Sequence, residues 1–290
     1  MPVIRNPVLV GWDWVKGAAS AVDSVAHDEP EAQHALRRAH PEVRRIGIGD
    51  IRAALAAGLA DFGAARTDIV LLCVIYPVAG LVFGRLAFGY GVLPLLFPLV
   101  AGFALIGPFA AIGLYELSRR REQGAEIGWG DAFGVFRSPS FGAILRLGIM
   151  LTGLFLLWLV VAQGLYDLTL GPDQPVSAAA FFHDVFHTWA GWILIVVGVG
   201  IGFLFAVVAM AISVVSFPML LDRADVTVET AIGTSLRAVR TNKGTMAVWG
   251  FVVVAGLVIG SIPLLIGLAI VMPVLGHATW HLYCRLVVSP

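Results

Sequence analysis

VFHTWAGWILIVVGVGIGFLFAVVAMAISVVSFPMLL, residues 185–221, runs for 37 residues without an Asp, Glu, Lys or Arg. A soluble fold has no place for so long a charge-free run. A bilayer does, because about 20 helical residues cross its ~30 Å hydrocarbon core. The same silence of charge recurs at 69–84, 86–115, 147–166 and 244–284. Across all 290 residues, 59% are hydrophobic and 13% charged, with a mean hydropathy of +0.89. Globular chains carry about 25% charge, so the composition excludes a soluble domain, a disordered chain, collagen and a coiled coil. A polytopic helical membrane protein remains. The 19 basic and 19 acidic residues balance, which argues against a nucleic-acid partner. Cys73 and Cys284 both lie in apolar surroundings and give no disulfide framework.

The run 185–221 is long enough for one generous span or two short ones. Charge placement decides between them. Six spans, at about 69–88, 92–115, 146–166, 189–217, 245–261 and 264–287, put 18 of the 19 basic residues on the side of the N-terminus. By the positive-inside rule that side is the cytoplasm. Arg85 is the exception. Splitting 185–221 would export Arg237, Arg240 and Lys243, so it is read as one span. The run 244–284 is read as two, because one helix of that length would extend roughly 60 Å and Gly260-Ser261-Ile262-Pro263 supplies a break. Ahead of the spans, residues 1–45 read as a cytoplasmic amphipathic helix and charged linker, with no cleavable signal peptide; residues 46–288 form the membrane domain.

Each pair of spans follows a similar approach. The first opens at Asp50, the second at Asp131 and the third at Glu229, an acidic residue suited to a helix N-terminus. In the first, Ile51, Leu55, Leu59 and Phe62 form an apolar stripe. The expected architecture is therefore all-α: three transmembrane hairpins, each preceded by a cytoplasmic interfacial amphipathic helix. Gly80 with Gly84, Gly198 with Gly202 and Gly256 with Gly260 are spaced for close packing between spans.

Several motifs carry a resemblance. Val43-Arg44-Arg45-Ile46-Gly47, Tyr76-Pro77-Val78-Ala79-Gly80-Leu81, Leu93-Pro94-Leu95-Leu96-Phe97-Pro98, Gly113-Leu114-Tyr115-Glu116-Leu117-Ser118-Arg119-Arg120-Arg121, Val215-Ser216-Phe217-Pro218-Met219 and Pro273-Val274-Leu275-Gly276-His277 through Tyr283 resemble the bacterial integral membrane family called domain of unknown function 2189. The resemblance extends over about residues 43–288 and implies six spans in the inner membrane and no set activity. Some relatives bear the label cytochrome c oxidase subunit I. Asn242-Lys243 departs from the Asn-Pro expected in relatives, which bears only on the turn before the fifth span.

Candidate chemistry is sparse. His277 and His281 share a face of the last span at i, i+4, and Cys284 falls on the same face. The preferred reading is an interfacial pair bonded to backbone carbonyls and lipid headgroups. The alternatives are a polar cluster inside the bundle, and a metal or haem site, for which two histidines leave ligands to find. A haem–copper catalytic subunit needs more histidines deep in its spans than this chain has. His183 and His187 repeat the spacing at the outer surface, around Asp184, and read as a solvated surface helix with divalent-cation capture as the alternative. Arg85 reads as a snorkelling side chain. Glu116 with Arg119 and Asp222 with Arg223 read as ion pairs at span ends.

There is no phosphate-binding loop, nucleophile elbow, HExxH or CxxC motif, and no cofactor is expected. The resulting expectation is a non-enzymatic scaffold, accessory subunit or assembly partner for another membrane complex, with a respiratory complex suggested by the family label. A small-solute permease or channel hinged on its prolines is the second reading, and a haem or metal carrier the third.

Overall fold

The computed structural model describes residues 41–64, 93–95, 97–99, 107–109, 111–125, 128–171, 175, 177–262 and 267–288. Its helices are α1 (Ile48–Ala64), α2 (Ile112–Glu122), α3 (Phe141–Thr169), α4 (Ala178–His187), α5 (Trp189–Ser213), α6 (Ser216–Asp222), α7 (Val228–Thr241), α8 (Lys243–Ser261) and α9 (Leu268–Leu286), with 3₁₀ segments at Leu93–Leu95 and Trp129–Arg137. Among the described residues the sole β pairing is an isolated antiparallel bridge between Val43 and Val287.

Three described helices are long and apolar enough to cross a membrane: Phe141–Thr169, Trp189–Asp222 and Lys243–Ser261. They match the third, fourth and fifth expected spans. The charge-free run 185–221 is not split into two spans. It continues through α5 and a hitch at Val214–Val215 into α6, giving 34 residues in one direction. The first expected span, with Gly80, Gly84 and Arg85, and residues 92, 96, 100–106 and 110 of the second lie outside the described residues. The sixth, α9, is apolar only in its first half. Its second half carries His277, His281 and Arg285 and faces protein: Gly276, His277, Ala278, Trp280, His281 and Leu282 are buried. The three-hairpin, six-span arrangement is thus seen only in part.

Close packing explains the glycines. A Cβ on Gly202 would lie 3.1 Å from the Trp158 ring of α3, and one on Gly198 3.4 Å from Leu165. Gly256 meets Val271 of α9 in the same way, and Gly260 meets Leu268 at 2.9 Å. At the tip of the α8–α9 pair, a Cβ on Gly267 would stand 2.7 Å from the backbone oxygen of Gly260, so this corner closes only with glycine. The outer faces of α3, α5 and α8 display Val160, Phe203 and Phe251, each at least 65% exposed. That is the surface a lipid contact requires. Replacing Gly202 by Leu is expected to lower the melting temperature in detergent, whereas Leu at Gly200, which faces open space, should leave it nearly unchanged. Equal melting of the two variants would remove the α3–α5 packing argument.

Two approaches to the membrane differ from expectation. Of the stripe Ile51, Leu55, Leu59 and Phe62, α1 buries Ile51 and half-buries Leu55 and Phe62, while Leu59 is 57% exposed; its fully buried face adds Ala54, Gly58 and Asp61. The reason is steric. A face of small residues lets α1 lie directly on α9, where a Cβ on Gly58 would come within 2.6 Å of the Ala278 backbone nitrogen. The second approach is the 3₁₀ segment Trp129–Arg137, not an α-helix. Gly128, Gly130 and Gly134 weaken α propensity there, and the Asp131 carboxylate accepts from the Gly128 N–H at 2.8 Å. The third, α7, is the expected amphipathic helix. The Thr227 hydroxyl caps it by accepting from the Thr230 N–H at 3.3 Å, and Ala231, Thr234, Ser235 and Ala238 form its buried face.

A strap closes the polar end of the molecule. The Arg44 N–H donates to Leu286 O at 2.8 Å, and the Val288 N–H to Glu42 O at 3.1 Å. Asn242, at the α7–α8 junction, accepts from the Ile46 N–H at 2.8 Å and donates to Arg44 O at 3.0 Å. The asparagine of the variant Asn242-Lys243 pair therefore binds the N-terminal strap through its side chain, and α8 starts at the next residue without proline.

Candidate functional site

The histidines of α9 lie neither at a headgroup surface nor apart. His277 is 2% exposed and His281 8%, which corrects the interfacial reading. Three helices converge on them, and the central acceptor is Asp61 of α1. Its Oδ2 accepts from the Ser118 hydroxyl of α2 at 2.6 Å and lies 2.8 Å from His281 Nε2. Its Oδ1 accepts from Arg121 Nη1 at 2.7 Å. His281 Nδ1 lies 3.1 Å from Glu122 Oε1, and the Trp280 indole N–H donates to Glu122 Oε2 at 3.0 Å. Both ring nitrogens of His281 thus face carboxylate oxygens, the arrangement of an imidazolium with two donors. Two carboxylates and two cations neutralise one another at a place where a lone charge would be costly.

The proton positions follow from counting donors. Ser118 has one hydroxyl hydrogen and gives it to Asp61. Its 2.8 Å contact with His277 Nδ1 is then an N–H of His277 donating to the serine oxygen. His277 Nε2 is buried with no partner among the described residues. Ser118, His277 and Asp61 are the residue types of a hydrolytic triad, but the wiring differs. The serine stands between the other two, whereas a triad places histidine between nucleophile and carboxylate.

Burial pushes the Asp61 carboxyl upward, but the hydrogen bonds from His281 and Ser118 outweigh it and hold the group below its ordinary 3.8. The hydrogen bond from His281 does the same for Glu122 against its ordinary 4.5, opposed by burial and aided by Trp280. Lowered carboxylate pKa values contribute stability that is present above the ordinary carboxylate range and lost as pH falls through the folded values. The melting temperature should therefore hold steady near neutrality and fall on acidification below about pH 4.5. An Asp61→Asn, Glu122→Gln protein should show a flatter profile. Parallel profiles would mean that other carboxylates govern acid sensitivity.

A second cluster sits beside the first. The Glu116 carboxylate, 2% exposed as a residue, accepts from Arg119 Nε at 2.9 Å and Arg120 Nε at 2.7 Å. Arg120 also donates to Asp131 at 2.6 Å, and its hydrogen bond with Glu116 helps raise its pKa above the ordinary value. The expected Glu116–Arg119 pair is present and larger than expected. Asp222 lies 3.9 Å from Arg223 and accepts from the Tyr283 hydroxyl at 2.7 Å. His183 and His187 stack on exposed α4 with ring centroids 4.8 Å apart, and His183 lies 3.5 Å from Asp184. Among the described residues no group of three His, Cys, Asp or Glu side chains has a metal-holding arrangement. At His281 both nitrogens are engaged by carboxylates, and Cys284 Sγ lies 3.8 Å from Glu122 Oε2.

Sequence reasoning located His277, His281 and Cys284 but missed Asp61, Ser118, Arg121 and Glu122 as their neighbours. A usable signal was present: Asp61 is an acidic residue at the buried i, i+3, i+7, i+10 positions shared with Ile51, Ala54 and Gly58. No curated protein and no solved structure matches the chain. Residues 96–222, which contain Ser118, the Arg119–Arg120–Arg121 run and the helices α2 to α6, match the family described as a predicted integral membrane protein, DUF2189, the family its motifs resemble.

Proposed function

We propose that this chain is a non-enzymatic, membrane-embedded scaffold: an accessory subunit or assembly partner of another membrane complex in the bacterial inner membrane, with both termini in the cytoplasm. One observation carries the reading. Every carboxylate oxygen of Asp61 and Glu122 is engaged by a donor from within the protein, so the cluster serves to join α1, α2 and α9 rather than to present a reactive group. The paired packing of α3 with α5 and of α8 with α9 supports the three-hairpin layout. The gathering of Arg119, Arg137, Arg223 and Arg240 outside the candidate spans supports a cytoplasmic polar end.

The reading is tested by isolating the protein from its native membrane in a mild detergent. A scaffold co-isolates with a stoichiometric membrane partner. A protein that arrives alone and moves solute into liposomes is a permease, and one that arrives with bound metal or a Soret band is a carrier; either result overturns the proposal. Orientation has its own test. A reporter fused after Pro290 should read cytoplasmic and one inserted beside Asp173 periplasmic, and the reverse pattern would invert the molecule.

A further inference from the structure

The Glu116 cluster borders a cavity of about 330 Å³ between α2, the 3₁₀ segment and the end of α6. Three guanidinium groups line it: Arg119, Arg120 and Arg137. Glu116 grips the first two through Arg119 Nε and Nη2 and Arg120 Nε. Arg119 Nη1 and Arg120 Nη2 are left without a hydrogen-bond partner among the described residues. Gly134 makes room for that edge of Arg120, since a Cβ there would lie 2.7 Å from Nη2. Arg137 is exposed and has no ion-pair partner among the described residues. Asp222, the other carboxylate in the lining, accepts from the Tyr283 hydroxyl through Oδ2.

A second observation is independent of these charges. Ser140 lines the same cavity, is 5% exposed, and its hydroxyl has no hydrogen-bond partner among the described residues. It is the N-cap of α3, yet its side chain makes no capping bond. A buried hydroxyl left unsatisfied is unfavourable unless something completes it. The first turn of α3, a helix of 29 residues, opens at this point, and its N–H groups favour negative charge.

We propose that the cavity binds a phosphate group through Arg137, the unbonded edges of Arg119 and Arg120, and the Ser140 hydroxyl. Guanidinium forks and a hydroxyl at a helix start are the donor set that phosphate oxygens fit. The cavity adjoins the ends of α2 and α3, so the phosphate can come from a lipid headgroup at the membrane surface or from a soluble phosphate compound.

The test uses the full-length purified protein and its Arg137→Gln and Ser140→Ala variants. Melting is followed against inorganic phosphate at constant ionic strength, and separately in micelles doped with phosphatidic acid or with phosphate-free diacylglycerol. Neither substitution removes a bond within the described protein, so both variants should fold with melting temperatures near that of the wild type. Wild-type protein should be stabilised by phosphate or by phosphatidic acid, and the half-maximal concentration should rise about tenfold in Arg137→Gln. Ser140→Ala should weaken it in the same direction. Stabilisation by inorganic phosphate assigns a soluble ligand; stabilisation by phosphatidic acid but not by diacylglycerol or inorganic phosphate assigns a headgroup. Wild type and Arg137→Gln responding alike in both arms overturns the site.

Discussion

Asp61→Asn is expected to cost about 3 kcal/mol and to loosen α1 from the rest of the molecule. The substitution keeps size and removes charge, so Arg121 and His281 lose their shared counter-ion while remaining in place. Removing one partner of a buried ion pair costs about 3–5 kcal/mol because it leaves the other uncompensated. The lower end applies here, because Glu122 continues to face His281 from the other side. The check is a double-substitution cycle by thermal or denaturant unfolding in detergent. His281→Gln alone should also destabilise, because it removes the cation that Asp61 and Glu122 share. The combined Asp61→Asn, His281→Gln protein should be more stable than the sum of the single losses predicts, since neither partner is then left charged alone. Strict additivity would mean that the 2.8 Å contact between the two residues contributes nothing.

Gly58→Ala should be nearly as damaging, although it adds a single carbon. That carbon would stand 2.6 Å from Ala278 N, 2.8 Å from Val274 O and 2.9 Å from Ala278 Cα. All three are backbone atoms of α9, which cannot rotate aside, so the helices must separate. Overpacking of this kind costs about 1–3 kcal/mol, even though alanine by itself favours a helix by about 1 kcal/mol over glycine. Gly63→Ala, on the same helix with nothing within 4 Å, has only the favourable propensity change and should be neutral or stabilising. Melting of the two variants in the same detergent gives opposite signs. If both move the same way, α1 is not held by close approach to α9. Asp61 lies one turn beyond Gly58, so the displaced helix also draws its carboxylate away from His281.

Hydropathy made the membrane class legible, and with it α3, the α5–α6 run and α8. Transfer of a span into a bilayer depends on the residues of that span and little else, so a sum along the chain is enough. Glycine spacing similarly pointed to Gly202 and Gly260 because backbone approach needs a missing side chain wherever the partner lies. The face of α1 that packs on α9 was not legible for the opposite reason. Ile51, Leu55, Leu59 and Phe62 make the better apolar stripe in isolation, but the partner helix selects the face that allows the closest contact.

By itself, then, the sequence determined a helical membrane protein with its charge gathered between spans and few ionisable groups within them. Only the tertiary structure decided what those few groups do. His281 meets Asp61 across 220 positions of chain and Trp280 meets Glu122 across 158. No periodicity records such distances. Of the histidine pair spaced for a ligand, His281 became one cation of a buried ion cluster because α1 and α2 brought two carboxylates to it. A buried imidazole takes its role from the nearest charge, and that charge is placed by packing.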